Sequence, residues 1–87
     1  MAKYKLSFKK SVTKDFKNIP NKDVSKILRT IEGLIDDPRA EGCIKLSGSN
    51  NYRVRQGLYR IIYEIKDDLL IVNVIKVGHR SAVYKGF

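Results

Sequence analysis

The sequence predicts an α+β fold built in layers: an N-terminal strand, a helical hairpin, then an antiparallel meander of three to four strands. Three observations carry that expectation. Apolar residues alternate at period two from Tyr4 to Phe8, recur at three- and four-residue steps between Val12 and Ile35, and return to period two from Ile44 onward. At 87 residues the chain is shorter than the roughly 100–150 of a typical domain, so residues 1–87 are expected to form one domain around one core.

Each element follows from the pattern. Lys3 to Phe8 places Tyr4, Leu6 and Phe8 on one side and Lys5 and Ser7 on the other, the signature of a half-buried strand. Ser7 or Ser11 is the candidate cap of a short helix carrying Val12, Phe16 and Ile19, which Pro20 stops. Asn21 is the expected N-cap of the second helix. Asp23 sits in its first turn, where the helix dipole favours an anion, and Val24, Ile27, Leu28, Ile31, Leu34 and Ile35 form its apolar face. That helix ends before Pro38, and Arg39 to Gly42 reads as a surface loop. Ile44 and Leu46 mark a short strand, and Ser47 to Asn51 a turn-rich loop. Tyr52 to Gln56 is a strand, and Gly57-Leu58 a tight connection to the strand Tyr59–Lys66. After a turn at Asp67-Asp68, Leu69 to Val77 is apolar enough to be the central strand.

Charge narrows the partners. The formal net charge is +9 and the isoelectric point about 9.9, so a positive field covers much of the surface and polyanions are the expected ligands. Cys43 is the only cysteine, which excludes an intramolecular disulfide, a thiol zinc cluster and a redox pair, and fits a reducing compartment. Its expected role is that of a small buried hydrophobe. The start Met1-Ala2-Lys3-Tyr4-Lys5 lacks the apolar run of a signal peptide, and no stretch is long enough to span a bilayer. A cytoplasmic protein with no membrane partner is expected.

Strand alternation gives the charge a direction. In Tyr52-Arg53-Val54-Arg55 the tyrosine and valine share one side, and the two arginines share the other. In the next strand Tyr59, Ile61, Tyr63 and Ile65 go to the core, leaving Arg60, Ile62 and Glu64 outward. A hairpin through Gly57 then gathers Arg53, Arg55 and Arg60 on one open face, at a cost in like-charge repulsion that an anion would offset, with Glu64 available to neutralise part of the cluster. Arginine presents a planar fork matched to phosphate oxygens and keeps its charge at cellular pH. A solvated basic face is the bland alternative, weakened because the arrangement repeats on adjacent strands. Past the last strand, Gly78-His79-Arg80 and Tyr84 can fold back beside the sheet. A lone histidine is more often structural than catalytic, and a tyrosine near a terminus more often packs than reacts.

These residues carry a family resemblance. The stretch Tyr52-Arg53-Val54-Arg55-Gln56-Gly57-Leu58-Tyr59-Arg60-Ile61-Ile62-Tyr63-Glu64-Ile65, the following Val77-Gly78-His79-Arg80 and Val83-Tyr84, and the lead-in Lys45-Leu46-Ser47-Gly48 resemble the RelE family of the RelE/ParE toxin superfamily, over nearly the whole chain. The resemblance implies the toxin of a type II toxin–antitoxin system. Such a toxin is an mRNA endonuclease that works in the ribosomal A site, with the ribosome, its ribosomal RNA and the mRNA as partners, restrained by a cognate RelB-like antitoxin that covers its basic face. On it, Arg53, Arg55, Arg60, Arg80 and Tyr84 fall on the positions that carry catalysis. The implied reaction is attack of a ribose 2′-OH on the adjacent phosphate and needs neither metal nor other cofactor.

The chemistry fits those residues. A pentavalent phosphate gains negative charge as it forms, and preorganised guanidinium groups, Arg60 and Arg80 foremost, stabilise it more than the ground state. Tyr84 offers a stacking platform for a base. Some RelE-type enzymes have lysines where this chain has Arg53 and Arg55. An arginine practically cannot give up its proton, so these two suit electrostatic stabilisation rather than general-base work. His79 carries the one imidazole in the sequence and is a candidate acid or base if it reaches the phosphate. Two alternatives stay open: a ParE-like inhibitor of DNA gyrase on the same fold, and a non-catalytic RNA-binding module.

Overall fold

The computed structural model describes residues 3–79. The chain enters as strand β1 (Lys5–Phe8) and passes through one extended residue, Lys9, into helix α1 (Lys10–Lys17). Ser7 is still strand and Ser11 already helix, so neither caps α1; no side chain does, and Lys9 holds the N-cap position. The Lys9 amide instead donates to the Val74 carbonyl at 2.9 Å, which ties the helix start to the sheet. Pro20 takes the cap position of α2 (Asn21–Gly33), one residue earlier than expected. Its carbonyl accepts from the Asp23 and Val24 amides at 2.9 and 3.0 Å, and a proline loses nothing there because the first-turn amides have no intrahelical partner. The helical apolar pattern outlasts the helix: Leu34 is the C-cap and is buried, while Ile35 lies in the following turn.

Four strands follow: β2 (Ile44–Lys45), β3 (Asn51–Gln56), β4 (Tyr59–Lys66) and β5 (Ile71–His79). They form the expected antiparallel meander, and β1 joins it parallel to β5, giving a five-stranded mixed sheet in the order β1-β5-β4-β3-β2. The middle strand is therefore β4, with β5 beside it. The start of β5 also shifts. The turn after Asp67 extends to Leu70, which adopts φ 54°, and a left-handed residue cannot continue a strand. Pairing begins at Ile71 with Lys5 and Lys66.

The two helices cover one sheet face. Val12, Ile19, Ile27, Ile31 and Leu34 pack on Ile61, Tyr63, Ile65, Val72, Val74 and Val77, with Tyr52, Val54 and Tyr59 partly buried against them. Those on β3 and β4 are the residues that alternation assigned to the core, whereas the faces of β5 follow from its pairing with β4. A register shift between Ile62 and Tyr63 lets Lys76 oppose Ile62 while Val74 opposes Tyr63, and so keeps valines on the core face at both ends of β5. Among the described residues, no helix is long and apolar enough to cross a membrane.

Candidate functional site

The site grows from the β3–β4 hairpin. Gln56 pairs with Tyr59 across the two-residue turn Gly57-Leu58. Gly57 has φ 60° and Leu58 does not have positive φ, the pattern of a II′ turn, whose twist matches that of the strands. One step up the ladder Arg55 stands directly opposite Arg60, and two steps further Arg53 opposes Ile62. Residues opposite one another share a face, so the three arginines lie together on the side that the helices leave uncovered. Arg55 is exposed, while Arg53 and Arg60 are half-buried.

The neighbours shape that surface. Arg60 opposes Gly78 on β5, so the next strand contributes no side chain at that step of the ladder. Ile62 points to this face as expected yet is fully buried, apart from the main core cluster. The aliphatic stems of Arg53 and Lys76, in register on either side, flank it. The arginine face thus has an apolar residue, Ile62, buried at its centre. Glu64 lies 3.8 Å from Lys66, its neighbour on that face of β4.

Lys76 and Asp15 were not singled out by sequence reasoning. The Lys76 ammonium is 3.2 Å from one oxygen of Asp15 on α1, and the other oxygen accepts the Val77 amide at 3.1 Å. β1 ends at Phe8, opposite Val74, so beyond that point the outer edge of β5 has no strand partner, and Asp15 satisfies it. The signals were a lone lysine in an apolar strand and a lone acid in a basic helix, and only the bulge in β5 brings them together.

His79 is placed elsewhere. It opposes Tyr59, whose ring packs against the core, so it stands on the helix-covered side rather than with the arginines. The two rings meet edge-on, with centroids 6.1 Å apart. Together with Asp15, Asn18, Ile19 and Lys76 they line a cavity of about 370 Å³ between α1 and the end of β5. The structure brings Arg53, Arg55 and Arg60 together and separates His79 from them. Arg80 and Tyr84 lie outside the described residues.

Electrostatic perturbation concentrates at the far end of the sheet. Arg39 grips Asp67 with two nitrogens at 3.0 and 2.7 Å, and the Tyr4 hydroxyl donates to the same carboxylate at 2.6 Å. Those hydrogen bonds lower the Asp67 pKa to about 2 and raise that of Arg39. Burial raises the phenol of Tyr63, which donates to the Pro38 carbonyl at 2.6 Å. This network fixes the loop after α2 against the sheet. Among the described residues, no cluster of three or more His, Cys, Asp or Glu groups could hold a metal ion.

Comparison with known proteins points the same way. The family model described as the ParE toxin of the type II toxin–antitoxin system parDE matches residues 4–84. The RelE1 toxin candidate of Methanocaldococcus jannaschii is 34% identical over 87 residues, covering 95% of this chain and 97% of that protein. The crystal structure of the archaeal RelE–RelB complex from Pyrococcus horikoshii superposes with a TM-score of 0.81 at 26% identity, covering 95% of this chain and all of its counterpart. Isolated Escherichia coli RelE gives 0.77 at 27% identity, covering 95% and 93%. With the strand–helix–helix–meander order, the arginine-bearing hairpin and these likenesses in agreement, the chain belongs to the RelE family of the RelE/ParE toxin superfamily of type II toxin–antitoxin systems.

Proposed function

We propose that residues 1–87 form one toxin domain that acts in the cytoplasm as a ribosome-dependent endoribonuclease, cutting messenger RNA in the A site and so stopping translation. The observation that carries this reading is the Arg55–Arg60 cross-strand pair with Arg53 on the same face. Two guanidinium groups held opposite one another repel, and the arrangement is relieved when a phosphate lies between them. When a ribose 2′-OH attacks that phosphate, its proton passes to solvent as the 2′-oxygen–phosphorus bond forms, the bond to the 5′-oxygen of the next nucleotide breaks and that oxygen takes a proton from solvent, and charge builds on the non-bridging oxygens in between. Arg60 and Arg80 stabilise that charge, Arg53 and Arg55 hold the flanking backbone, and Tyr84 stacks on a base. His79, across from Tyr59 on the other side of the sheet, is assigned no phosphate contact. The same basic face is where a RelB-like antitoxin would sit, as an acidic chain competing with RNA; RelE of Pyrococcus horikoshii was solved with RelB.

The test is primer-extension mapping of a defined message incubated with purified toxin, with and without programmed ribosomes. Cleavage within the A-site codon is expected only with ribosomes present. Removing one transition-state donor costs about 10²–10³ in rate in comparable sites, and Arg60→Ala and Arg80→Ala are each expected to fall by that order while remaining folded. A second reading is favoured by the ParE description of the matching family model: inhibition of DNA gyrase. Arrested supercoiling without RNA cleavage would select it, and salt-sensitive RNA binding with neither activity would leave a binding module.

A further inference from the structure

The sheet is narrowest where Arg55 and Arg60 stand. On one side, β1 runs beside β5 only from Lys5 with Ile71 to Phe8 with Val74. On the other, β2 pairs with β3 only at Arg53 and Tyr52. The row Arg55–Arg60–Gly78, and the row Gln56–Tyr59–His79 beyond it, therefore rest on β3, β4 and β5 alone, with both outer edges free of a strand among the described residues. Open edges are where a sheet frays, and a like-charged pair directly opposite adds a force that drives its two strands apart.

Polar side chains of the helical layer reach both of these edges. On the β3 side, the Thr30 hydroxyl of α2 donates to the Gln56 side-chain oxygen at 2.7 Å. On the β5 side, the Asp15 carboxylate of α1 accepts the Val77 amide at 3.1 Å and holds the Lys76 ammonium at 3.2 Å. Between them, the Tyr59 hydroxyl lies 3.5 Å from an oxygen of Asp23. Each residue gripped from the helices is next in sequence to a member of the arginine row: Gln56 follows Arg55, Tyr59 precedes Arg60, and Val77 precedes Gly78. Threonine and aspartate are poor helix formers away from the caps, yet Thr30 and Asp15 sit inside α2 and α1. Their place there costs helix stability and is accounted for by what they hold.

We propose that Asp15 and Thr30 are positioning residues for the cleavage, two clasps on opposite edges that hold the strands of the arginine row at the spacing a phosphate requires. The inference rests on the nuclease reading and adds to it the residues that set the geometry of its site. Neither residue meets the message, because both belong to the layer on the far side of the sheet from the arginines. They act through Arg55 and Arg60. A guanidinium stabilises developing charge only if it is already in place when the charge forms, and a displacement of about 1 Å can cost about 10²-fold in rate. In the free protein the repulsion between Arg55 and Arg60 works against that placement. The Asp15 side chain is 13% exposed, and the Thr30–Gln56 bond is partly buried, so water replaces either poorly once it is broken. The far end of the sheet is fastened instead by Arg39, Asp67 and Tyr4, and that network supplies the control.

The experiment measures kcat and KM for cleavage of a defined message on programmed ribosomes, with amide hydrogen exchange of each full-length protein alongside. Asp15→Ala and Thr30→Val are expected to lower kcat by about 10- to 100-fold with KM unchanged. Thr30→Ser, which keeps the hydroxyl, is expected to restore it. Asp67→Asn loosens the opposite end of the sheet and is expected to cut at the wild-type rate. In an Arg60→Ala background the Asp15 and Thr30 substitutions are expected to cost nothing further, because the group they position is gone. Exchange is expected to rise at residues 54–60 in Thr30→Val and at residues 75–79 in Asp15→Ala. Should Asp15→Ala fail to fold, Asp15→Asn carries the measurement with a smaller loss of the same kind. Faster exchange with wild-type kcat and KM would overturn the proposal and leave the two bonds a structural role. So would an equal loss in the Arg60→Ala background, or a loss shared by Asp67→Asn. A wild type that cuts no message sinks the nuclease reading by itself. The exchange measurement then decides whether the clasps hold the arginine row, and wild-type exchange at both segments would overturn them.

Discussion

Asp67 shows how one side chain fastens two distant segments. It follows β4 directly, and its carboxylate accepts from Arg39, in the loop after α2, and from Tyr4 at the start of the chain. Arg39 also donates to the Tyr52 hydroxyl at 3.2 Å, with its guanidinium 5.4 Å from that ring's centroid. An exposed ion pair alone contributes little, but a bidentate pair tied to two tyrosines is more constrained than most. Because the folded state depresses the Asp67 pKa from 3.8 to about 2, the group binds its proton more readily when unfolded. Its stabilising contribution is complete above about pH 4 and is lost as pH falls toward 2. We expect the melting temperatures of wild type and Asp67→Asn to differ at pH 5 and to converge by about pH 2. A difference that stays constant across that range would show that Asp67 does not titrate against Arg39. The sequence marked Arg39 as loop and Asp67 as turn, and no local pattern could have joined positions 28 residues apart.

Asp15 acts at the scale of elements. A short β1 leaves the end of β5 without a neighbour, and an open strand edge invites pairing with another chain. Helix α1 closes that edge with one carboxylate, which satisfies the Val77 amide and the Lys76 ammonium together. The Asp15 side chain is 13% exposed, so a lost partner is only partly replaced by water. Asp15→Ala is expected to cost about 1–3 kcal/mol in urea denaturation. Asp15→Asn is expected to cost less, because its amide oxygen still accepts from Val77. Equal losses for both would place the stabilisation in the Lys76 charge pair rather than in the edge. Gly78, opposite Arg60, follows directly in the chain, so the clasp also steadies the strand beside the arginine pair.

Across the whole molecule, stability and function pull on the same charges. Arg55 and Arg60 face one another, and like charges directly opposite in a sheet are destabilising, by up to about 1 kcal/mol on the scale of cross-strand pairs. Replacing Arg55 with threonine, a good strand former, is expected to raise stability by a few tenths to about 1 kcal/mol while lowering ribosome-dependent cleavage. A variant both less stable and fully active would remove the phosphate-binding rationale for the pair. The net charge of +9 has a matching reading: it adds self-repulsion in the free protein, and a polyanion neutralises it.

What the sequence alone determined were the features encoded locally. Period-two and helical alternation specified the strands and helices, Gly57-Leu58 specified a tight hairpin, and parity along β3 and β4 specified that Arg53, Arg55 and Arg60 share a face. Each of these depends on neighbours within one hairpin or one helix turn, where side-chain direction follows from backbone geometry. Tertiary structure decided the rest. The parallel docking of β1 on β5, the bulge that sends Lys76 toward Asp15, the caps supplied by Lys9 and Pro20, and the position of His79 opposite Tyr59 all depend on which distant segments meet. A one-residue shift in register exchanges the two faces of a strand. Alternation read along β5 alone therefore could not assign its final residues, whereas their pairing with β4 does.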